Sequence, residues 1–289
     1  MNGWLVVNSF FELKKFDEIY NLLICAAKDE GIHLELIKSD EITASASDGF
    51  SDIKLPDFVI FWDKDIYLAR LLENAGVRLF NSAETIELCD DKAKTCIRLL
   101  GENVCIPETV IAPKTFEGVG YKNLDFLDRA IEKLGLPLVI KEVYGSFGQQ
   151  VYLAKTRQDA VEIINSFGHK EFIMQKFIAE SVGKDIRVNV VGGKAVVSIL
   201  RENKNDFRSN ITNGGTAVVY TPTEQQERMA INAAKALNAD FAGVDVLFGE
   251  NGQPLICEVN SNPHFKSAYD CTGVNLAGYI MKHIKEELK

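Results

Sequence analysis

The stretch from Asp240 to Phe265, DFAGVDVLFGENGQPLICEVNSNPHF, limits what this chain can become more than any other. Val244 to Phe248 and Leu255 to Val259 are apolar runs of strand length. Each is interrupted by one acid, Asp245 in the first and Glu258 in the second. Asn251-Gly252 lies between them, and Asn-Gly is the strongest short-range hairpin signal. A two-residue turn there faces Glu250 with Gln253 and, counting outward, sets Asp245 opposite Glu258. Asn260, two residues further, shares that face. Two carboxylates at cross-strand distance repel, and a hard divalent cation removes the conflict, because Asp, Glu and an Asn carbonyl are oxygen ligands that Mg²⁺ accepts. A solvated hairpin face is the alternative. Pro254 cannot donate to a ladder, so another loop would change the register.

The remainder reads as alternating elements. Trp4 to Val7, His33 to Ile37, Phe58 to Trp62 and Gly76 to Phe80 are strand-like, and Phe16 to Ala27 and Leu68 to Asn74 are helical. That alternation predicts a small α/β domain with a parallel sheet. The polar stretch Ser39 to Lys54, with Ser45, Ser47, Asp48, Gly49 and Ser51, reads as loop. Ser82 caps a helical pattern running to about Leu100, and Asn123 caps another that Gly135 ends. Thr156 and Asp159 form a capping box. Strands are expected at Leu138 to Val143, Val151 to Ala154 and Glu171 to Gln175. From Asp185 hairpins dominate: Ile186 to Val191 and Lys194 to Leu200 flank a Gly192-Gly193 turn, which sets Arg187 opposite Ser198. Thr223 to Leu237 and Asn275 to Leu288 are helical. The expected division is an N-terminal α/β domain over 1–88, a central unit over 89–182 and a C-terminal unit over 183–289.

Composition narrows the function. With 32 basic and 41 acidic residues the net charge is −9, which argues against a broad nucleic-acid or anionic-membrane surface. The six cysteines form no CxxC pair, so reduced thiols in core positions of a cytoplasmic protein are expected. No apolar run reaches membrane-spanning length, and MNGWLVVNSF lacks a signal-like charge pattern.

Several groups are suited to phosphate. Lys141 ends the apolar run Leu138-Val-Ile-Lys141, which places an ammonium at a strand end. Gly145-Ser146-Phe147-Gly148 follows, and such a loop lets backbone N–H groups close over a phosphate chain. Taken alone, such a loop is more commonly an ordinary glycine hairpin. Gln175-Lys176-Phe177-Ile178 ends a strand beside apolar side chains and suits an adenine edge and face, with Glu180 and Asp185 near enough to accept ribose hydroxyls. Asp185, Arg187 and Asn189 alternate on one polar face. Arg201 and the run Phe207-Arg208-Ser209-Asn210 add two guanidiniums near a flexible loop; Arg grips carboxylates and phosphates with a fork. No Ser–His–acid or Cys–His arrangement is supported, and His264 and His283 read as substrate-loop and surface residues.

In this order the motifs resemble the ATP-grasp ligases of the RimK type, which include the ribosomal-protein glutamate ligases. The matching pieces are Asp91-Lys92, Leu138-Val-Ile-Lys141, the loop from Gly145 to Gly148, Gln175-Lys-Phe-Ile178, Asp185-Ile-Arg187, Asp206-Phe-Arg-Ser-Asn210, Ala242-Gly-Val-Asp245 and Glu258-Val-Asn260. The resemblance implies an α+β fold with ATP held between two α+β domains. It also implies transfer of the γ-phosphate to a substrate carboxylate and attack of an amine on the acyl phosphate. On that match Lys92 and Lys141 hold phosphates, with Ser146 in the covering loop. Gln175, Lys176, Phe177 and Ile178 meet the adenine; Asp185, Arg208, Ser209 and Asn210 contact the nucleotide. Asp245, Glu258 and Asn260 match the Mg²⁺ ligands, with Mn²⁺ as an alternative. Arg201 and Arg208 stabilise charge on the transferred phosphoryl group.

Two departures bear on the substrates. After Asn260 the run is Ser261-Asn-Pro-His-Phe-Lys266 where the ribosomal-protein ligases carry small residues, so Arg187, His264 and Lys266 become candidates for the substrate. Gln149-Gln150 stands where a further glycine is common, which stiffens the loop. The expected partners are ATP, a carboxylate acceptor (a peptide, protein tail or small metabolite) and an amino-acid donor resembling glutamate; nucleic acid and membrane are not expected, and a homo-oligomer is compatible. The alternatives are a D-alanine–D-alanine-like ligase, a carboxylase, or a nucleotide-binding regulator without catalysis.

Overall fold

The computed structural model describes residues 1–11, 13–50 and 53–289. Among these, β1 (Asn2–Val7), α1 (Lys14–Asp29), β2 (His33–Lys38), β3 (Phe58–Trp62), α2 (Ile66–Asn74) and β4 (Arg78–Phe80) build a parallel sheet in the order β2-β1-β3-β4. β3 is buried along its whole length, as an all-apolar run inside a parallel sheet must be. The polar stretch after β2 holds a turn of 3₁₀ helix and a Ser45–Gly49 bridge; Ser51 lies outside the described residues.

The helical pattern after Ser82 is two helices and not one. α3 (Ala83–Asp90) and α4 (Lys92–Leu99) are separated at Asp91, whose side chain accepts the Lys94 N–H and caps α4. A residue in extended conformation with a side chain able to cap offers the backbone a new start, so the helix turns a corner. The Lys92 side chain thereby turns toward the loop after Lys141.

β5 (Thr109–Ile111), α5 (Asp125–Leu134), β6 (Leu138–Glu142), β7 (Val151–Ala154), α6 (Arg157–Phe167) and β8 (Phe172–Lys176) give a second sheet, ordered β5-β8-β6-β7, with α5 and α6 sharing its core. The Thr156–Asp159 capping box forms as expected. The α5 cap position is Leu124, and Asn123 instead accepts the Asp125 N–H.

β9 (Lys184–Val191), β10 (Lys194–Glu202), β11 (Thr216–Val219), α7 (Glu224–Ala236), β12 (Phe241–Phe248), β13 (Pro254–Asn260), α8 (Lys266–Thr272) and α9 (Leu276–Glu287) complete the chain, with sheet order β11-β10-β9-β12-β13. One side of this sheet packs on α7; the other side, beyond Asn189, packs on α8, α9 and the first sheet.

Two registers depart from simple counting. A bulge between Ala195 and Val197 pairs Arg187 with Ile199 and not Ser198, and brings Arg201 opposite Asp185. In β12–β13 the loop is a short 3₁₀ turn at Glu250–Gly252, and Gly249 N–H bonds the Gln253 carbonyl. That loop alone would shift the pairing by one residue. A second bulge, at Cys257, restores it, and Asp245 does face Glu258. Gly243 faces Asn260 in the same ladder.

The thiols are all free among the described residues; Cys89 is buried in a core, Cys105 and Cys271 pack against cores, and Cys25 is exposed, so the expectation of core positions holds in part. Burial pushes the Cys89 thiol up to about 12. His283 is not a surface residue: it sits edge-on to Phe80 and its Nε2 lies 3.0 Å from Asp240. No helix among the described residues is long and apolar enough to cross a membrane.

Candidate active site

A cleft lies between the second and third sheets. One wall comes from β6, β8 and the loop between β6 and β7. The other comes from β9, β10, β12, β13 and the loop after β10. Fourteen of the expected residues border it: Lys92, Lys141, Ser146, Gln175, Lys176, Phe177, Ile178, Asp185, Arg201, Arg208, Ser209, Asn210, Asp245 and Glu258. Asn260 and Arg187 adjoin it on the same sheet face, through the ladder positions of Glu258 and Asp245.

The cations are built in differently. Lys141 is buried at the end of β6, with Nζ 3.5 Å from the Cys257 sulfur. Burial opposes its charge, but the Cys257 sulfur and Glu258 outweigh that and hold its pKa above the ordinary value. Burial lowers the pKa of Lys92, whose Nζ donates to the carbonyls of Val143 and Gly145 at 3.4 and 3.1 Å.

The glycine loop is tied on three sides. Gln150 accepts the Ser146 N–H at 3.2 Å, which gives the stiffening residue a specific partner. Lys64 donates to the Ser146 hydroxyl at 3.2 Å and also pairs with Asp90. Arg208 donates to the Gly148 carbonyl, while Asp206 holds the rest of its guanidinium. Gly148 has φ +71, and an added Cβ would come within 2.5 Å of Asn210 Oδ1. Lys64 and the strap from residue 206 to 210 carry no local motif that announces a loop partner, so only tertiary structure discloses these contacts.

The acids form a relay with the arginines. Arg187 grips Asp245 through Nε and Nη2, the latter at 2.8 Å. Arg201 donates to Asp185 at 2.7 Å and reaches Asp245 at 2.9 Å. Burial alone would raise the Asp245 carboxyl, but the two guanidiniums hold it below the usual carboxylate range. Burial likewise disfavours charge on Arg201, and Asp185 and Asp245 more than offset it. The charge conflict expected between Asp245 and Glu258 is therefore already relieved on the Asp245 side. Asp185, expected to meet a ribose, has both oxygens on Arg201.

Among the described residues Glu258 makes no ion pair or hydrogen bond, and Asn260 Nδ2 donates to the Gly243 carbonyl at 3.3 Å, which leaves its Oδ1 available. No cluster of three His, Cys, Asp or Glu side chains gathers there or elsewhere among the described residues. A carboxylate, a second carboxylate shared with arginines and a carboxamide oxygen nevertheless make an all-oxygen donor set fitted to a hard cation that keeps other ligands of its own.

Some expected residues stand apart. Gln175 borders the cleft, yet it is buried and its amide donates to Thr109, which commits that group to the β5–β8 pair. Glu180 is exposed and lies outside the cleft lining. Lys266 pairs with Asp270 and Glu18, and His264 has Nε2 3.2 Å from the Lys15 carbonyl with its ring edge-on to Phe16; neither borders the cleft. Phe207, on the opposite wall in the loop after β10, lies 6.5 Å from Phe177 between ring centroids and also lines the cleft.

The profile of the RimK-like ATP-grasp domain matches residues 89–284. A "Probable alpha-L-glutamate ligase" of Legionella pneumophila (strain Corby) is 35% identical over 224 residues, 76% of this chain and 71% of that protein. The human "N-acetylaspartylglutamate synthase A" is 33% identical over 230 residues, 79% of this chain but 57% of that protein, so the chain spans little more than half of that relative's length. The crystal structure of a RimK domain protein from Sphaerobacter thermophilus superposes with a TM-score of 0.75 at 20% identity, covering 98% of this chain and 99% of that one.

Proposed function

The chain belongs to the RimK-like ATP-grasp family, and from that premise we propose that it is an ATP- and Mg²⁺-dependent ligase joining a carboxylate to the amine of a glutamate-like amino acid. The observation that carries this is one cleft. Lys92, Lys141 and the glycine loop face the opposed acids Asp245 and Glu258 across it. The acceptor is proposed to be a peptide, a protein tail or a small metabolite; the names of the two curated relatives support glutamate as the amine. The three sheets fit the proposed three-part division, with the limit at residue 88 falling inside α3.

In the proposed reaction an acceptor carboxylate oxygen bonds to the γ-phosphorus of ATP as the bond to the β–γ bridging oxygen breaks. ADP leaves with those electrons. The amine nitrogen then bonds to the acyl carbon, the carbon–oxygen bond to phosphate breaks, and a proton leaves the nitrogen with the phosphate. Lys92 and Lys141 hold phosphate oxygens. Arg208 straps the glycine loop down, and Arg201 and Arg208 offset charge that develops on the transferred group. Phe177 and Phe207 bracket the base, with Lys176 and Ile178 beside it, and Ser209 and Asn210 line the nucleotide. A Mg²⁺ on Asp245, Glu258 and Asn260 would neutralise phosphate charge. Positioning and electrostatics supply the acceleration, so no strong base is required.

The test is ADP release with ATP, Mg²⁺, pooled amino acids and a pool of carboxylate acceptors. Amine-dependent turnover is expected. Nucleotide binding with no ADP release across the pools would favour a regulator.

A further inference from the structure

Phe147 stands in the glycine loop with φ +58, in the left-handed region. A bulky side chain is rare there, and such a backbone persists only where its surroundings fix it. The ring is half-buried, and what it packs on comes from another part of the chain. Lys15 Nζ lies 3.8 Å from the Phe147 ring centroid, and the Phe16 ring stands edge-on to it at 6.3 Å. Both residues belong to the first turn of α1. The Phe147 carbonyl accepts from Asn213 Nδ2 at 3.5 Å.

Lys15 commits its charge to this contact. Among the described residues its ammonium has no carboxylate partner and no hydrogen-bond acceptor; the polar group it uses is its carbonyl. Burial lowers its pKa, and no neighbouring acid offsets that. The ammonium also lies 5.4 Å from the Phe16 ring centroid. Aromatic faces are then its source of negative potential, and a cation within about 6 Å of a ring centroid is attracted to it. The same turn of α1 touches the loop after Asn260. The Lys15 carbonyl lies 3.2 Å from His264 Nε2, and the Phe16 ring is edge-on to His264 at 5.5 Å. Two adjacent residues of the N-terminal unit thus meet one loop from each of the other two units.

We propose that the first turn of α1 is a latch on the glycine loop: Lys15 and Phe16 hold Phe147, and nucleotide leaves the cleft only when that contact opens. This rests on the nucleotide cleft proposed above. Lys15 is a positioning residue, because it acts on the nucleotide through Phe147 and the loop backbone without touching it. The latch ties the loop to the N-terminal unit, so the position of that unit sets the lifetime of the bound nucleotide. Lys64 of the same unit holds Ser146, so loss of Lys15 loosens the loop without freeing it.

The test uses the full chain as Lys15→Met, Phe147→Leu and the double variant. Met keeps the stem and removes the charge; Leu keeps an apolar side chain and removes the ring. Hydrogen exchange of the free protein reads the loop directly. Amides of residues 145–150 should exchange about three- to tenfold faster in Lys15→Met, the factor that one cation–π contact implies. The unfolding temperature should stay within about 2 °C of wild type. Release of a fluorescent, non-hydrolysable ATP analogue with Mg²⁺, followed by stopped flow, should quicken by a similar factor in each single variant. The double variant should release no faster than the faster single, because both changes remove one contact. Loop exchange less than about threefold faster in Lys15→Met overturns the latch. So does release at the wild-type rate in both single variants, or a double variant whose factor is the product of the two single factors. These results leave the nucleotide cleft standing, whereas a wild type that binds no analogue overturns the cleft and the latch together.

Discussion

Arg187 holds Asp245 by two nitrogens of one guanidinium, and Arg201 closes on the same carboxylate from two strands away, at 2.9 Å. The acid is buried, so its charge persists only because both arginines face it.

Asp245→Asn should therefore destabilise the protein by about 3 kcal/mol, because the arginines keep Asp185 alone as a carboxylate partner. Urea unfolding measures this. The pH dependence follows from the lowered pKa of Asp245. Its contribution is present above the ordinary value of 3.8 and is lost as pH falls through the lower folded value. The wild type should lose stability more steeply than the variant below that pH; parallel acid limbs would remove the arginines as the cause.

Asn81 ties the end of the first sheet to the third by four hydrogen bonds. Its amide donates to the carbonyls of Phe241 and Ser261 at 2.8 and 2.9 Å, and its oxygen accepts the N–H groups of Asp240 and Phe241 at 2.7 and 3.3 Å. Asn81→Ala strands these groups and should cost about 3 kcal/mol. A change in urea midpoint equivalent to under about 1 kcal/mol would mean that water replaces the amide.

Much of this was legible in the residues. The alternation over the first 80 residues gave the parallel sheet, and the order of short motifs gave the cleft. The Asp245–Glu258 pairing came out right although the loop did not, because the bulge at Cys257 compensates for a longer turn. The bulge that aligns Arg201 with Asp185 had no such luck: nothing in the alternation of Ala195 to Ile199 marks it. Asp91 hid a helix break because a capping residue inside a periodic run does not disturb the period. Lys266 and His264 were read from their place after Asn260, but α8 begins at Lys266 and carries it toward Asp270 and Glu18, away from the cleft.

Gly148→Ala should leave the fold intact and impair nucleotide use. The left-handed backbone penalises any Cβ by about 1 kcal/mol, and here the Cβ also strikes Asn210. A rise in KM for ATP of about tenfold is expected by steady-state kinetics, with an unfolding temperature near that of the wild type. An unchanged KM would show that the loop does not close over the phosphates.

Lys141→Ala should weaken binding of an ATP analogue by about ten- to a hundredfold, since a buried ammonium beside phosphate makes a charge-assisted contact. Lys141→Arg should not restore it, because the longer planar group does not fit the space against Cys257. Equal affinity for wild type and Lys141→Ala, read by titration calorimetry, would undo the phosphate role.

The account turns on whether Glu258 serves a cation on the phosphates, and the direct measurement is ADP release by Glu258→Gln against wild type under saturating ATP, Mg²⁺ and substrates. Glu258 faces Asp245 and makes no ion pair among the described residues, so its amide should fold with near-wild-type stability. Turnover should fall by at least about a thousandfold, as loss of a charged ligand at the phosphates implies. Near-normal turnover in a folded Glu258→Gln protein would contradict the assignment of the acid pair.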